Sequence, residues 1–165
     1  MMISKKMEAA LNGQINAELY SWYLYQAMAA NFEALNFRGM AQWMNVQARE
    51  EMGHAMKLYG FLIERGGRVK LTEIAAPPQK WAKPLAAFAD AYEHEQKVTA
   101  LIHDLVTAAR AEKDYASDVF LQWFVNEQVE EEANASAIVE RLKLAGDHNG
   151  ALMMIDRELG ARGQS

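Results

Sequence analysis

The sequence predicts an all-α protein: a four-helix bundle with one long crossover and a short fifth helix at its C-terminal end. Three observations carry that expectation. Apolar residues recur at helical spacing through four long segments. Only three prolines occur in 165 residues, and two of them are adjacent, at Pro77 and Pro78. Between the second and third periodic segments lies GGRVKLTEIAAPPQKWAKP, which has little helical period.

Taken in order, Ser4 is a suitable N-cap for a first helix over about 4–33. A tight connection at Leu35 and Asn36 leads to a second helix over about 37–65, which Gly66 and Gly67 stop. Segment 66–83 is then the crossover. At ~3.3 Å per extended residue it reaches about 60 Å, more than the ~45 Å of a helix this long. It can therefore traverse the whole bundle and make helices two and three parallel, while the short connections make one–two and three–four antiparallel hairpins. Pro84 suits the first turn of a third helix over about 84–113. The fourth runs over about 116–145 to Gly146, and NGALMMIDRELG forms a short fifth over about 149–160. One domain over 1–165 accounts for the chain, with enough residues to bury a core.

Composition narrows the chemistry. The formal net charge of −5 argues against nucleic acid as a partner, since phosphate recognition needs a basic face. With no cysteine there are no disulfides, zinc–thiolate sites or thiol catalysis. No stretch has the apolar length of a signal peptide or a membrane span, so the expected compartment is the cytoplasm and no membrane partner is expected.

Placing residues on a helical repeat gives each long helix an apolar stripe. The first stripe is Met7, Leu11, Ile15, Trp22, Tyr25, Ala29 and Phe32, with Glu18 in its middle. The second is Phe37, Met40, Met44, Ala48, Ala55, Leu58 and Leu62, with Glu51 central and His54 on its flank. Glu95 sits among Phe88, Tyr92, Val98, Thr99, Ile102 and Val106. Glu131 sits among Phe120, Phe124, Ala135, Ile138 and Leu142, with Gln128 and Glu127 to either side. A buried carboxylate is costly unless neutralised, paired or metal-bound, and the stripes offer no matching lysines or arginines. Carboxylates from four helices and one imidazole at a single level form a hard-ligand site for divalent metal, close to the Glu-x-x-His arrangement of di-metal bundle cores. Glu127, Glu130 and Glu131 span about a 100° sector of helix four, computed from the helical repeat. With Glu50 they form either an outer metal position sharing Glu131 or a solvated acidic edge; Glu132 lies on the far side as surface.

These residues together resemble a known family. Glu18 and Tyr25, EEMGH (Glu50 to His54), YEHEQ (Tyr92 to Gln96) and NEQVEEE (Asn126 to Glu132) are similar to the motifs of a prokaryotic non-haem ferritin, and the resemblance covers essentially the whole chain. It implies a ferritin-like fold in which Glu18, Glu51 and His54 hold a first iron. Glu51 as a bridge, with Glu95, Glu131 and Gln128, would hold a second. Glu50, Glu127, Glu130 and Glu131 would form the third iron site of the prokaryotic branch. Tyr25 would be the redox-active tyrosine, although its spacing alone fits a core aromatic equally well. The resemblance further implies a ferroxidase that oxidises Fe(II) with O2 or peroxide, and a homo-oligomeric 24-mer shell that stores ferric mineral. Leu19, Tyr20, Tyr23, Leu24 and Met28 lie off the first helix's core stripe and, with the apolar Leu152, Met153, Met154 and Ile155 of the fifth helix, suggest subunit interfaces.

Several neighbouring families fit less well. Met52 matches the place where bacterioferritins ligate haem, but they carry a second Glu-x-x-His on helix four, where this chain has Asn134 three residues after Glu131. No haem is expected, although a bacterioferritin-like haem-binding shell is the first alternative reading. Rubrerythrin-type di-iron oxidases or peroxidases pair two such motifs and add a cysteine-rich iron domain. The DNA-protecting mini-ferritins place their iron ligands across a subunit interface. A bundle with incidental acidic residues would gain no stability from divalent metal. By family analogy alone, Asp114 and Asp118 are candidates to line a pore.

Overall fold

The computed structural model describes residues 2–164, and these form five α-helices and no strand: α1 (Lys5–Ala34), α2 (Arg38–Glu64), α3 (Pro84–Ala111), α4 (Tyr115–Ala145) and α5 (Asn149–Leu159). Ser4 caps α1 by accepting from the Met7 amide at 3.1 Å. Pro84 opens α3, where its missing N–H costs nothing. Asp114 caps α4 by accepting from the Ser117 amide at 3.1 Å, which starts that helix one residue before the expected position. None of the described helices is long and apolar enough to cross a membrane.

Side-chain pairs fix the topology. Gln26 meets Asn45 and Glu18 meets His54, so α1 and α2 run antiparallel. Tyr25 meets Glu95 and Phe32 packs on Phe88, so α1 and α3 also run antiparallel. Gln47 reaches Glu131 while Phe61 stacks on Phe120, giving the same relation between α2 and α4. Helices α2 and α3 are thus parallel, as a full-length crossover requires.

The crossover lies along α1 and is fastened by a polar ladder that apolar periodicity does not reveal. Glu8 accepts from the Arg68 amide at 3.1 Å. One turn on, Asn12 donates to the Arg68 carbonyl at 2.9 Å and accepts from the Lys70 amide at 2.7 Å. Asn16 donates to the Glu73 carbonyl at 3.0 Å. At the far end, Asn31 donates to the Trp81 carbonyl at 3.1 Å and accepts from its amide at 3.2 Å. The loop has no partner strand or helix, so these side chains satisfy its backbone.

The core divides into two apolar blocks. One holds Tyr25, Met28, Phe32, Met40, Met44, Phe88, Ile138 and Leu142, and is closed by Ile155 and Leu159 of α5. The other holds Met7, Leu11, Ile15, Leu58, Leu62, Val98, Ile102, Leu121 and Phe124. Between them, at the helix midpoints, lies a polar layer. Two sequence expectations need correction here. Leu24 and Met28 are buried within the chain and not on an interface, and Ile155 is core as well. The apolar stripe of α1 is therefore wider than its most regular positions, while Trp22 at its edge is only half-buried. Leu152 is partly buried, and Tyr23, Met153 and Met154 remain exposed.

Helix α5 docks on the start of α2 at a backbone crossing. The Met40 amide donates to Asp156 at 2.8 Å, and a Cβ at Gly39 would lie 1.7 Å from the Asp156 carbonyl oxygen. Such an overlap cannot be relieved by rotating a side chain. Gly39→Ala is expected to lower stability by roughly 2–3 kcal/mol, as overpacking does. Urea unfolding measures that loss. Hydrogen exchange should show 149–159 losing protection ahead of the rest; unchanged protection there would refute the docking role.

Candidate metal centre

The polar layer is assembled from the middle of every long helix. Glu18 (1% exposed), Glu51 (1%), Glu95 (2%), Glu131 (5%) and His54 (6%) are all buried, one or two per helix. Their ligand atoms, with those of the partly exposed Glu127, converge in three groups within 4.8 Å: Glu18, Glu51 and His54; Glu51, Glu95 and Glu131; and His54, Glu127 and Glu131. Glu51 belongs to the first two groups, so it lies where a bridging carboxylate would sit. His54 follows Glu51 by one short helical step and holds its Nδ1 3.2 Å from the Glu51 carboxylate and 3.9 Å from that of Glu18.

Amides steady the carboxylates. Gln14 donates to Glu18 at 3.1 Å from four residues before it. Gln47 stands in the same relation to Glu51, to which it donates at 2.9 Å, and its second N–H donates to Glu131 at 2.7 Å. Gln128 donates to the Glu95 carboxylate and to the Glu95 carbonyl, both at 3.1 Å, so it meets the cluster through its amide nitrogen. Tyr25 donates its phenol proton to Glu95 in a short hydrogen bond. Thr99 lies 2.7 Å from Glu132, which makes Glu132 part of the support for Gln128 and not plain surface.

Electrostatics shows how incomplete the layer is as a set of charges. Burial pushes the Glu18 carboxyl well above its usual range, and the nearby Glu51 charge adds to the effect. Burial does the same to Glu51, with Glu95 as its main repelling neighbour. Burial also raises Glu95, partly offset by the Tyr25 hydrogen bond. Glu131 rises from 4.5 to about 8, through burial and then the Glu95 charge. Burial and the Glu95 charge raise the Tyr25 phenol far above its ordinary value. No lysine or arginine is buried among the described residues. The Oε2 atom of Glu18 is buried with no hydrogen-bond partner. A divalent cation fits this layer: it supplies the positive charge the protein omits and the partner that Glu18 lacks, and carboxylate oxygens with one imidazole suit iron, manganese or zinc.

The outer residues differ. Glu127 brings an oxygen within 3.9 Å of His54 Nε2 and is partly exposed. Glu50 and Glu130 join none of the converging groups among the described residues; Glu50 is instead paired with Arg162 at 2.9 Å. Asp114 and Asp118 are held in ion pairs with Arg65 at 2.9 Å and Arg110 at 3.0 Å. Asn134 is exposed and so takes no part in the layer. Apolar periodicity missed Gln14, Gln47 and Arg162, as well as Trp123, whose ring stands edge-on to His54 at 5.4 Å with Lys57 over its face at 3.7 Å. The repeated Gln-to-Glu step of four residues on α1 and α2 was a readable sign of the two glutamines.

Comparison with known proteins gives the family of the chain. The family described as "Ferritin-like domain" matches residues 8–145. The chain is 47% identical over 161 residues to a protein named "Bacterial non-heme ferritin" from Bacteroides fragilis, covering 98% of this chain and all of that one. It is 38% identical to a protein of the same name from Staphylococcus aureus, again over 98% of this chain. Among solved structures it superposes on an open-pore ferritin from the hyperthermophilic archaeon Archaeoglobus fulgidus with a TM-score of 0.96 and 55% identity, covering 97% of this chain and 99% of that one. A form of the same archaeal ferritin, engineered to be closed, matches equally well at 0.96. With a family match that spans most of its length and relatives that cover nearly all of it, the chain belongs to the ferritin family of iron-storage proteins.

Proposed function

We propose that the chain is a ferroxidase that oxidises Fe(II) at a carboxylate-bridged pair of sites in the polar layer and passes Fe(III) to a mineral store inside a multi-subunit shell. The observation that carries this reading is the pair of buried ligand groups sharing Glu51. Glu18, Glu51 and His54 would hold one iron, and Glu51, Glu95 and Glu131 the other, with Gln128 holding Glu95 in place. Two adjacent Fe(II) ions supply two electrons, enough to reduce O2 with two protons to hydrogen peroxide, or peroxide to water. Carboxylates favour the more highly charged Fe(III), so the same ligands drive the oxidation.

The protein's own groups do the remaining work. Gln14 and Gln47 hold Glu18 and Glu51 in fixed rotamers before metal arrives, which lowers the ordering cost of binding. Tyr25 lies in direct contact with Glu95, placed to give a proton or an electron to the second site. Glu127, partly exposed beside His54 and Glu131, offers a route outward for the oxidised ion and, with Glu130 and Glu50, an outer third position. Exposed Tyr23, Tyr115, Val119, Val129, Leu144, Met153 and Met154 favour a homo-oligomer, here a 24-mer as in the family.

Anaerobic Fe(II) titration followed by an oxygen pulse tests the central claim. Two to three Fe(II) should bind per chain, and the size-excluded protein should retain many times that number after oxygen. Glu18→Ala and Glu51→Ala should each slow oxidation by about 100-fold, the loss typical when a metal ligand or its support is removed. Tight binding without retained mineral would instead mark a small di-iron oxidase.

The raised carboxyls predict an unusual pH dependence. A carboxyl whose folded pKa exceeds its unfolded one binds its proton more tightly in the folded state. Its contribution is complete below about 4.5 and lost as pH rises through about 8 for Glu131. Without metal, stability should therefore fall as pH rises through that window, by up to ~1.4 kcal/mol per pH unit for each proton involved. Saturating Zn(II) should displace those protons and remove the fall. Thermal unfolding at a series of pH values checks both; a metal-free protein that gains stability over the same window contradicts the electrostatic reading.

A further inference from the structure

The turn after α5 brings a cation to the edge of the metal centre. Arg162 is half-buried with its guanidinium 4.2 Å over the Trp43 ring. Its Nη1 donates to the Trp43 carbonyl at 3.3 Å. Its Nη2 donates to Gln47 Oε1 at 2.9 Å and to Glu50 Oε2 at 2.9 Å. Gln47 is buried, and its nitrogen is the donor that spans Glu51 and Glu131. Because Arg162 can only donate, it fixes which end of the Gln47 amide faces the metal layer. A flipped amide would turn an acceptor oxygen toward two carboxylates.

Glu50 is the remaining point of contact. It lies beside Glu51 and near Glu131, whose proton affinity its charge raises. Yet its carboxylate is turned to Arg162 and joins no converging ligand group among the described residues. The guanidinium holds the Glu50 carboxylate in an orientation away from its acidic neighbours, and its fixed positive charge repels an incoming cation.

We propose that Arg162 is a positioning residue that stands in for a cation at the outer edge of the site: it holds Glu50 off the third metal position and locks the Gln47 amide toward Glu51 and Glu131. The inference rests on the reading of the inner layer as a two-metal site. Its consequence is an order of filling. The two inner positions fill against a preset Gln47, and the outer one fills only as the Arg162–Glu50 pair opens. The pair is partly exposed, so its hold is modest. Replacing the guanidinium should tighten outer binding by about fivefold, the equivalent of a well-placed surface ion pair.

The test is anaerobic Co(II) binding by equilibrium dialysis, counted per chain, for the whole protein, Arg162→Ala and Arg162→Gln. The parent should show two tight ions and a third, weaker one. Both variants should keep two tight ions and bind the third about fivefold more tightly. In a Glu50→Gln background, Arg162→Ala should gain less than half of that, since the ligand it releases is gone. A third affinity that is unchanged or weaker in both variants overturns the proposal, and so does a full gain without the Glu50 carboxylate. A parent that binds no tight pair would instead overturn the two-metal reading itself, which separates the two failures.

Discussion

Burying four carboxylates at the waist of a helical bundle is the constraint to which the remaining features answer. Removing an ionised carboxylate from water costs several kcal/mol even after relaxation. Glu18, Glu51, Glu95 and Glu131 lie close enough that each also repels its neighbours. The fold meets this cost in two ways. Apolar blocks above and below the layer, built around Phe32, Phe88 and Met44 on one side and Leu58, Ile102 and Phe124 on the other, supply the stability the layer lacks. Neutral donors, not cations, partly satisfy the carboxylates, which leaves the net charge uncompensated. A lysine in the layer would neutralise part of that charge and make a poorer cation site.

Geometry turns that liability into a site. The helix pairs α1–α2, α1–α3 and α2–α4 are all antiparallel, so residues at the midpoint of each helix meet at one level whatever their distance along the chain. The crossover makes this arrangement possible. It spans the bundle because α1 carries Glu8, Asn12, Asn16 and Asn31 as anchors for its backbone. Stability, chain path and the candidate metal centre are therefore coupled through α1, which lines the site on one face and holds the loop on another.

The layer is asymmetric from one side to the other. Towards α1 and α3 it is closed: Tyr25 and Glu95 are buried, and burial drives neighbouring His94 down to about 4, which keeps the ring neutral beside Ser21 at 2.7 Å. Towards α2 and α4 it opens past Glu127, Trp123 and the Arg162–Glu50 pair. One histidine, contributed by α2 alone, reinforces that difference. The candidate site thus has a closed inner wall and a polar outer edge.

The sequence by itself determined the helices, their order and the inner carboxylates. Periodicity, caps and breakers are local properties, and a glutamate in the middle of an apolar stripe stands out against its neighbours within one helix. It also carried the resemblance that named the family. Tertiary structure decided what lies between helices. That Leu24 and Met28 are core depends on how closely α1 sits against its neighbours, which no single stripe records. That Glu132 supports Thr99, and that Glu50 faces Arg162 in place of its own acidic neighbours, depends on side chains far apart in sequence meeting across a gap. Arg162 reads as an ordinary charged residue near the C-terminal end. Only the docking of α5 at Gly39, where backbone meets backbone, carries its guanidinium to the edge of the site.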